Sequence, residues 1–152
     1  MGAEFQIGAE ITDVIDHGGR IARLCDANGR TYDAESIAIT AGPWTRRLLP
    51  ELKIPITPTA ARLHYLAPAD PPSFSHPRFV LFAVLDKLYY GFPVHWNGAL
   101  KVTDEEIRPE FDLDADREGA DPIALAKLRN FLRTHVPGLR NAAVMKSKIC
   151  TY

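Results

Sequence analysis

Residues 79–103 read FVLFAVLDKLYYGFPVHWNGALKVT, and this stretch decides the fold. Asn97-Gly98 between two apolar runs is a strong signal for a two-residue β-hairpin turn. Asp86-Lys87 separates the runs Phe79–Leu85 and Leu88–Phe92, and Asn97-Gly98 turns into a third run, Ala99–Thr103. The stretch therefore predicts at least three antiparallel strands.

A helix and two further strands flank this stretch. Asp121-Pro122 predicts the start of the helix, because Asp caps a helix well and Pro is tolerated in its first turn. Pro137-Gly138 ends it. Thr59–Leu66 and Ala142–Tyr152 are predicted strands. The apolar stripe of the helix consists of Leu125, Leu128, Phe131 or Leu132, and Val136.

The N-terminal part has a different pattern. Alternating apolar residues over 4–14 predict a half-buried strand. The turn signals Gly18-Gly19 and Asn28-Gly29 then predict a three-stranded antiparallel meander with strands at Arg20–Cys25 and Thr31–Ala34. Ser36–Ala41 is continuously apolar or small, which predicts a strand buried on both faces, followed by a short helix that starts at Pro43.

Composition excludes several classes of protein. The 152 residues carry 18 Lys+Arg and 19 Asp+Glu, and the net charge of -1 argues against binding to nucleic acid or to a membrane surface. The longest apolar run, 79–85, is far below the roughly 20 residues that span a bilayer. Cys25 and Cys150 form neither a disulfide framework nor a CxxC site. We expect a soluble cytoplasmic protein without a signal peptide.

Common site motifs are absent from the sequence. There is no G-x-S-x-G, no P-loop and no G-x-G-x-x-G, the glycine-rich turn that lets a helix N-terminus approach a pyrophosphate. Asp112, Asp114 and Asp116 resemble the first half of a calcium loop, but Arg117 and Ile123 occupy the required Gly and Glu positions. The five histidines lack ligand spacing, so no metal site is predicted.

A series of motifs does occur in a characteristic order. It runs from Thr40-Ala-Gly42-Pro-Trp44, through Tyr89-Tyr90-Gly91-Phe92-Pro93 and Gly98-Ala-Leu-Lys101, to Cys150-Thr151-Tyr152. In this order the chain resembles the middle of flavin-dependent amine oxidases of the monomeric sarcosine oxidase and N-methyltryptophan oxidase type, which are related to D-amino-acid oxidase. The resemblance implies FAD as the cofactor and a small-molecule amine or amino acid as the substrate.

The resemblance also implies roles for particular residues. Gly42 would let the backbone run close to the dinucleotide, although a strand-to-helix turn alone also favours glycine there. Tyr90 would reach into the substrate cavity, or be an ordinary aromatic of an amphipathic strand. Lys101 would face the flavin and promote reduction of O₂, or simply point to solvent. Cys150 would form a thioether to the flavin, or be a small apolar residue on a buried strand.

Two departures from the family pattern stand out. Glu105 occupies the position of the family's active-site histidine. Its carboxylate would repel an amino acid's carboxylate and favour a cationic substrate, unless Glu105 only begins the acidic loop. The glycine-rich N-terminal part, a substrate-binding arginine and the C-terminal FAD-contacting part are missing as well. We therefore expect that the chain alone binds FAD weakly and is inactive.

Together these features predict an α+β fold. Residues 1–45 would form a partial FAD-binding domain, with the meander and the Ala-Gly-Pro-Trp strand end. Residues 46–152 would form a truncated substrate domain with an antiparallel sheet and one main helix. The first hypothesis for function is a fragment of an amine oxidase that uses O₂. The alternative is a non-catalytic domain that assembles with a partner chain or forms a homo-oligomer through exposed strand edges.

Overall fold

The computed structural model of the protein describes residues 2–16, 18, 21–104, 110–115 and 121–152. The chain divides into two compact units, Met1–Ile56 and Thr57–Tyr152. Both are built around antiparallel sheets with few helices, so the predicted α+β class is confirmed. The assignment of a cofactor part and a substrate part to the chain stays a prediction.

The first unit contains the predicted meander. Its strands β1 (Ile11–Asp16), β2 (Ile21–Asp26) and β3 (Thr31–Asp33) pair antiparallel in chain order. At the β2–β3 turn, the Asp26 carboxylate accepts hydrogen bonds from the backbone N–H groups of Asn28 (3.0 Å) and Arg30 (2.9 Å) and from the Tyr32 hydroxyl (2.9 Å). The predicted strand over 4–14 was wrong in its start, since Phe5 and Ile7 are 80% and 97% exposed and pairing begins at Ile11.

The predicted strand at Ser36–Ala41 was also wrong. No described residue forms a ladder with this segment, and its residues alternate between exposed and half-buried instead of being buried on both faces. A strand exists only where a neighbouring strand accepts and donates its backbone hydrogen bonds. The short helix that follows is confirmed: a 3₁₀ turn at Gly42–Trp44 leads into α1 (Thr45–Leu48).

The second unit is a five-stranded antiparallel sheet. Its spatial order is β5-β6-β7-β4-β8, so the C-terminal strand lies at one edge and the short β5 at the other. The predicted turn Asn97-Gly98 joins β6 to β7 with φ of 47° and 72°, the positive pair of a type I′ hairpin. The strands are β4 (Ala60–Ala67), β5 (Phe82–Val84), β6 (Tyr89–Trp96), β7 (Ala99–Asp104) and β8 (Ala143–Thr151).

One helix, α2 (Pro122–His135), covers one face of this sheet. Asp121 caps it as predicted, because its carboxylate accepts from the N–H groups of Ile123 (2.9 Å) and Ala124 (3.3 Å). The apolar stripe of α2 packs on alternate residues of β4 and β7. The resulting core consists of Leu66, Leu100, Val102, Leu128, Phe131, Leu132, Leu139 and Ala142.

Candidate functional site

The pairing register divides the second sheet into two faces with different chemistry. Leu66, Leu100 and Val102 point toward α2, so the residues that alternate with them point to the opposite side. We call it the open face because α2 does not cover it, although Leu63 and Thr103 on this face are buried. Two rows of paired residues cross this open face. One row is Phe92, Lys101, Tyr65 and Lys146, and the other is Tyr90, Thr103, Leu63 and Lys148.

Lys101 lies half-buried on the open face with its ammonium beside two aromatic rings. The Nζ atom is 4.8 Å from the Phe92 ring centroid and 5.4 Å from the Tyr90 ring centroid. A cation within about 6 Å of an aromatic ring is attracted by its quadrupole. The charge of Lys101 is thus held beside the two rings, and its role at a flavin stays a prediction.

The tandem tyrosines of β6 take opposite sides of the sheet. Tyr89 stacks on Phe131 of α2 with centroids 4.1 Å apart. Tyr90 is therefore on the open face, where its ring meets the Phe92 ring edge-on at 5.8 Å. The alternation thus assigns one tyrosine to the core and brings the predicted site residue Tyr90 to Lys101.

Cys150 shares the open face with these residues. It pairs with the buried Ala61 in β8–β4, and its thiol is free and half-buried. Lys101 and Cys150 are two strands and four residues of register apart, about 10 Å across and about 13 Å along the sheet. A ligand that contacts both side chains must therefore be elongated, as a fused three-ring system is.

Thr103 is a residue of the open face that sequence reasoning did not single out. It lies two residues after Lys101 on the open face, between Tyr90 and Leu63, and it is fully buried. Its hydroxyl has no hydrogen-bond partner among the described residues. A buried hydroxyl without a partner is costly, so a ligand on the open face would gain from bonding to it.

Two other predicted site residues lie outside the described part of the second unit. Gly42 lies in the first unit with φ 52°, and a Cβ at this position would have no atom within 4 Å. The positive φ fits the interpretation of Gly42 as the turn glycine between an extended segment and a helix. Glu105, predicted to contact the substrate, lies outside the described residues.

The sheet face that α2 covers carries a buried cluster of polar residues, which has a structural role. His64 is 1% exposed, and its Nδ1 lies 2.8 Å from the Ser147 hydroxyl. Burial lowers the pKa of His64, and the positive charges of Arg62 and Arg129 lower it further against the opposing effect of Asp104. Arg62 also forms an ion pair of 2.6 Å with the helix cap Asp121.

A groove on the open face has a volume of about 460 Å³ and is lined by Tyr65, His95, Lys146 and Lys148. Another, of about 540 Å³, lies between α2 and the turn at Leu85–Lys87. None of the predicted site residues lines either groove. We consider the open face as the candidate site because Tyr90, Lys101 and Cys150 share it.

Two kinds of feature are absent from the described part of the chain. No group of three or more His, Cys, Asp or Glu side chains is placed to hold a metal ion there. No helix in the described ranges is both long and apolar enough to cross a bilayer.

These features define a class of protein once the chain is compared with known families. The model of the family described as FAD dependent oxidoreductase matches residues 1–151, so the chain belongs to this family. The family that the motif series indicated is thereby confirmed.

Among curated proteins, the chain is similar to sarcosine and N-methyltryptophan oxidases. It is 31% identical to monomeric sarcosine oxidase of Bacillus sp. (strain NS-129), over 80% of this chain and 33% of the relative. It is 29% identical to peroxisomal sarcosine oxidase of Homo sapiens, over 97% of this chain and 40% of the relative. It is 30% identical to N-methyl-L-tryptophan oxidase of Yersinia pestis (strain Pestoides F), over 80% of this chain and 33% of the relative. The chain thus spans only a third or somewhat more of these relatives.

The fold is similar to that of solved amine oxidases. Amadoriase I, a fructosyl amine:oxygen oxidoreductase of Aspergillus fumigatus, superposes with a TM-score of 0.78 at 19% identity, over 93% of this chain and 35% of that one. Iminodiacetate oxidase of Chelativorans sp. BNC1 gives a TM-score of 0.69 at 19% identity, over 94% of this chain and 36% of that one. At these identities the likeness shows the fold alone.

Proposed function

We propose that this chain is the central segment of a flavin-dependent oxidase that oxidises a secondary amine or amino acid, with O₂ as the electron acceptor. The observation that carries the proposal is the common face of Tyr90, Lys101 and Cys150. An aromatic ring, a held cation and a thiol are the groups that the sarcosine oxidase type places around its flavin. The names of the curated relatives support the same substrate class.

The side chains of the open face fit an FAD cofactor. The half-buried Cys150 thiol would hold it through a thioether, and the orphaned Thr103 hydroxyl offers a hydrogen bond to a polar atom on the same face. Gly42 would allow the backbone of the first unit to run close to the dinucleotide. When bound, the flavin supplies the redox chemistry by accepting a hydride equivalent from a C–H bond next to the amine nitrogen.

Lys101 would act on oxygen. O₂ becomes negatively charged when it accepts an electron, and a cation fixed beside it stabilises that developing charge. Contact with the Tyr90 and Phe92 rings holds the ammonium in place without neutralising it. Tyr90 and Glu105 would contact the substrate, with the Glu105 carboxylate favouring the cationic amine nitrogen, and not a carboxylate, at its own position.

A second candidate function is that of a non-catalytic domain. The sequence has no G-x-G-x-x-G, so we propose that the 152 residues by themselves bind FAD weakly and do not turn over amines. The edge strand β5 has only three paired residues, and the neighbouring Val80 and Leu81 are 61% and 54% exposed. We propose self-association through such edges. A cytoplasmic location stays a prediction from the sequence.

The proposal is tested with two proteins, the chain itself and a chimaera in which residues 1–151 replace the matching segment of a sarcosine oxidase. We expect peroxide release with N-methyl amino acids from the chimaera and none from the chain. In the chimaera, Lys101→Met should slow reoxidation of the reduced flavin by O₂ roughly 100-fold, with little effect on flavin reduction by the amine.

The matched control is Lys127→Met, which removes the same charge from the exposed side of α2. A chimaera that binds FAD but oxidises no amine would contradict the oxidase assignment. Peroxide release by the isolated chain, or a yellow chain as purified, would contradict its proposed inactivity. A strictly monomeric chain at high concentration in light scattering would contradict the proposed self-association.

A further inference from the structure

Positive charge is concentrated on the open face of the five-stranded sheet. Lys101, Lys146 and Lys148 all lie on this face, and no described residue that pairs across it is acidic. The whole chain has a net charge of -1, so the excess is local. Asp104, the acidic residue at the end of β7, is on the opposite face with Arg62 and Tyr89.

The groove on this face has the dimensions of a small-ligand site. Its volume of about 460 Å³ is within the usual range for such sites. Tyr65 pairs with Lys101 on one side and with Lys146 on the other, so its ring lies between the two ammonium-bearing side chains. Lys148 follows Lys146 on the same face and completes the groove wall.

His95 contributes to the groove wall. Its Nδ1 lies 2.8 Å from the Pro93 carbonyl oxygen. Because a carbonyl only accepts, Nδ1 is the donor of this hydrogen bond, which fixes the orientation of the ring.

We propose that Lys146 and Lys148 bind a carboxylate of the substrate, beyond the carboxylate adjacent to its amine nitrogen. The substrate class would then be acidic secondary amines, such as N-substituted amino acids with a second carboxylate. Two ammonium groups give charge-assisted hydrogen bonds to one carboxylate, which are stronger than bonds between neutral groups. This inference rests on the proposed function, because it specifies the substrate of the same open face. Lys101 keeps its separate proposed role, which is to stabilise negative charge on O₂ beside the Tyr90 and Phe92 rings.

The first experiment measures anion binding by the chain itself, without flavin or turnover. Glutarate is titrated at constant ionic strength while amide chemical shifts are followed by NMR. We expect saturable shifts that map to β4 and β8, and about tenfold weaker binding in Lys146→Gln/Lys148→Gln. Lys127→Gln, which removes charge from the other face, should bind glutarate like the original chain.

Three outcomes would overturn the inference. One is the absence of saturable shifts with glutarate, and another is an equal loss of binding in Lys127→Gln, which would indicate non-specific attraction. The third is tighter binding of inorganic phosphate than of glutarate, which would replace a carboxylate with a phosphate as the natural group.

The second experiment separates this inference from the proposed function. In the chimaera, Lys146→Gln/Lys148→Gln should raise KM for N-methylaspartate about tenfold and leave KM for sarcosine unchanged. Equal changes for both substrates would overturn the substrate class. If the chimaera oxidises no amine while glutarate still binds the chain through Lys146 and Lys148, the proposed function fails and the anion site stands.

Discussion

The Lys101 ammonium lies 4.8 Å from the centroid of the Phe92 ring, directly across the β6–β7 ladder. A cation–π contact of this kind contributes about 0.5–1 kcal/mol at partly exposed sites. In a double-mutant cycle of Lys101→Met and Phe92→Leu, we therefore expect a coupling of about 0.5–1 kcal/mol in the free energy of unfolding. Urea denaturation of the four proteins measures it.

The control is the cycle of Phe92→Leu with Lys127→Met, whose side chain is on α2. Its coupling should be near zero, since distant sites behave additively. A zero coupling between Lys101 and Phe92 would show that the ammonium is not held by the ring in solution.

Gly91 of the Tyr-Tyr-Gly-Phe-Pro motif has a packing reason to be glycine. A Cβ at this position would come within 2.9 Å of the Lys101 carbonyl oxygen and closer still to the Phe82 ring. A side chain can turn away, but the carbonyl belongs to the neighbouring strand. Gly91→Ala should therefore destabilise the fold by about 1–3 kcal/mol in urea denaturation.

The double variant Gly91→Ala/Phe82→Leu tests this packing explanation. Replacing the ring by a smaller side chain should recover only part of the loss, because the contact with the Lys101 carbonyl remains. Full recovery of the lost stability would mean that the Phe82 ring alone explains why position 91 requires glycine.

Local signals in the sequence predicted the parts of the fold that depend on a few adjacent residues. Asp121 caps α2, and Asn97-Gly98 forms the hairpin, because each acts on its own backbone. The strand prediction for residues 36–41 failed for the opposite reason. Its apolar run fits a strand, but a strand needs a partner elsewhere in the chain, and no local pattern specifies that partner.

The candidate site was predictable to a similar extent. Motif order indicated Tyr90, Lys101 and Cys150, and pairing puts them on one face. Thr103 was missed, because its buried hydroxyl becomes unusual only once its neighbours are known. The lysines of β8 were visible in the sequence, but the register was needed to bring them to the same face as Lys101.

Because His64 is buried, we expect the protein to lose stability in mild acid. Burial holds its folded-state pKa below the unfolded value of about 6.5, so the unfolded chain binds more protons below that pH. Its contribution to stability is complete above about pH 6.5 and is lost as the pH falls toward the folded-state pKa. The free energy of unfolding should thus decrease by up to about 1.4 kcal/mol per pH unit in that window.

Urea denaturation at pH 7.5, 6.5 and 5.5 measures this slope. His64→Gln should flatten it, since glutamine can still bond to Ser147 but does not titrate. His76→Gln, which changes an exposed histidine, should leave it as it is. An unchanged slope in His64→Gln would assign the acid sensitivity to other groups.

Cys150 and Cys25 give a matched pair for testing covalent attachment of the flavin. Both thiols are free and half-buried, but only Cys150 lies on the open face with Lys101, whereas Cys25 lies in the meander of the first unit. After acid precipitation of the chimaera, flavin fluorescence should stay with the protein in Cys25→Ser and move to the supernatant in Cys150→Ser. A thioether resists denaturation, while a flavin held only by contacts is released when the fold is lost. Flavin that remains attached in Cys150→Ser would exclude this cysteine as the anchor.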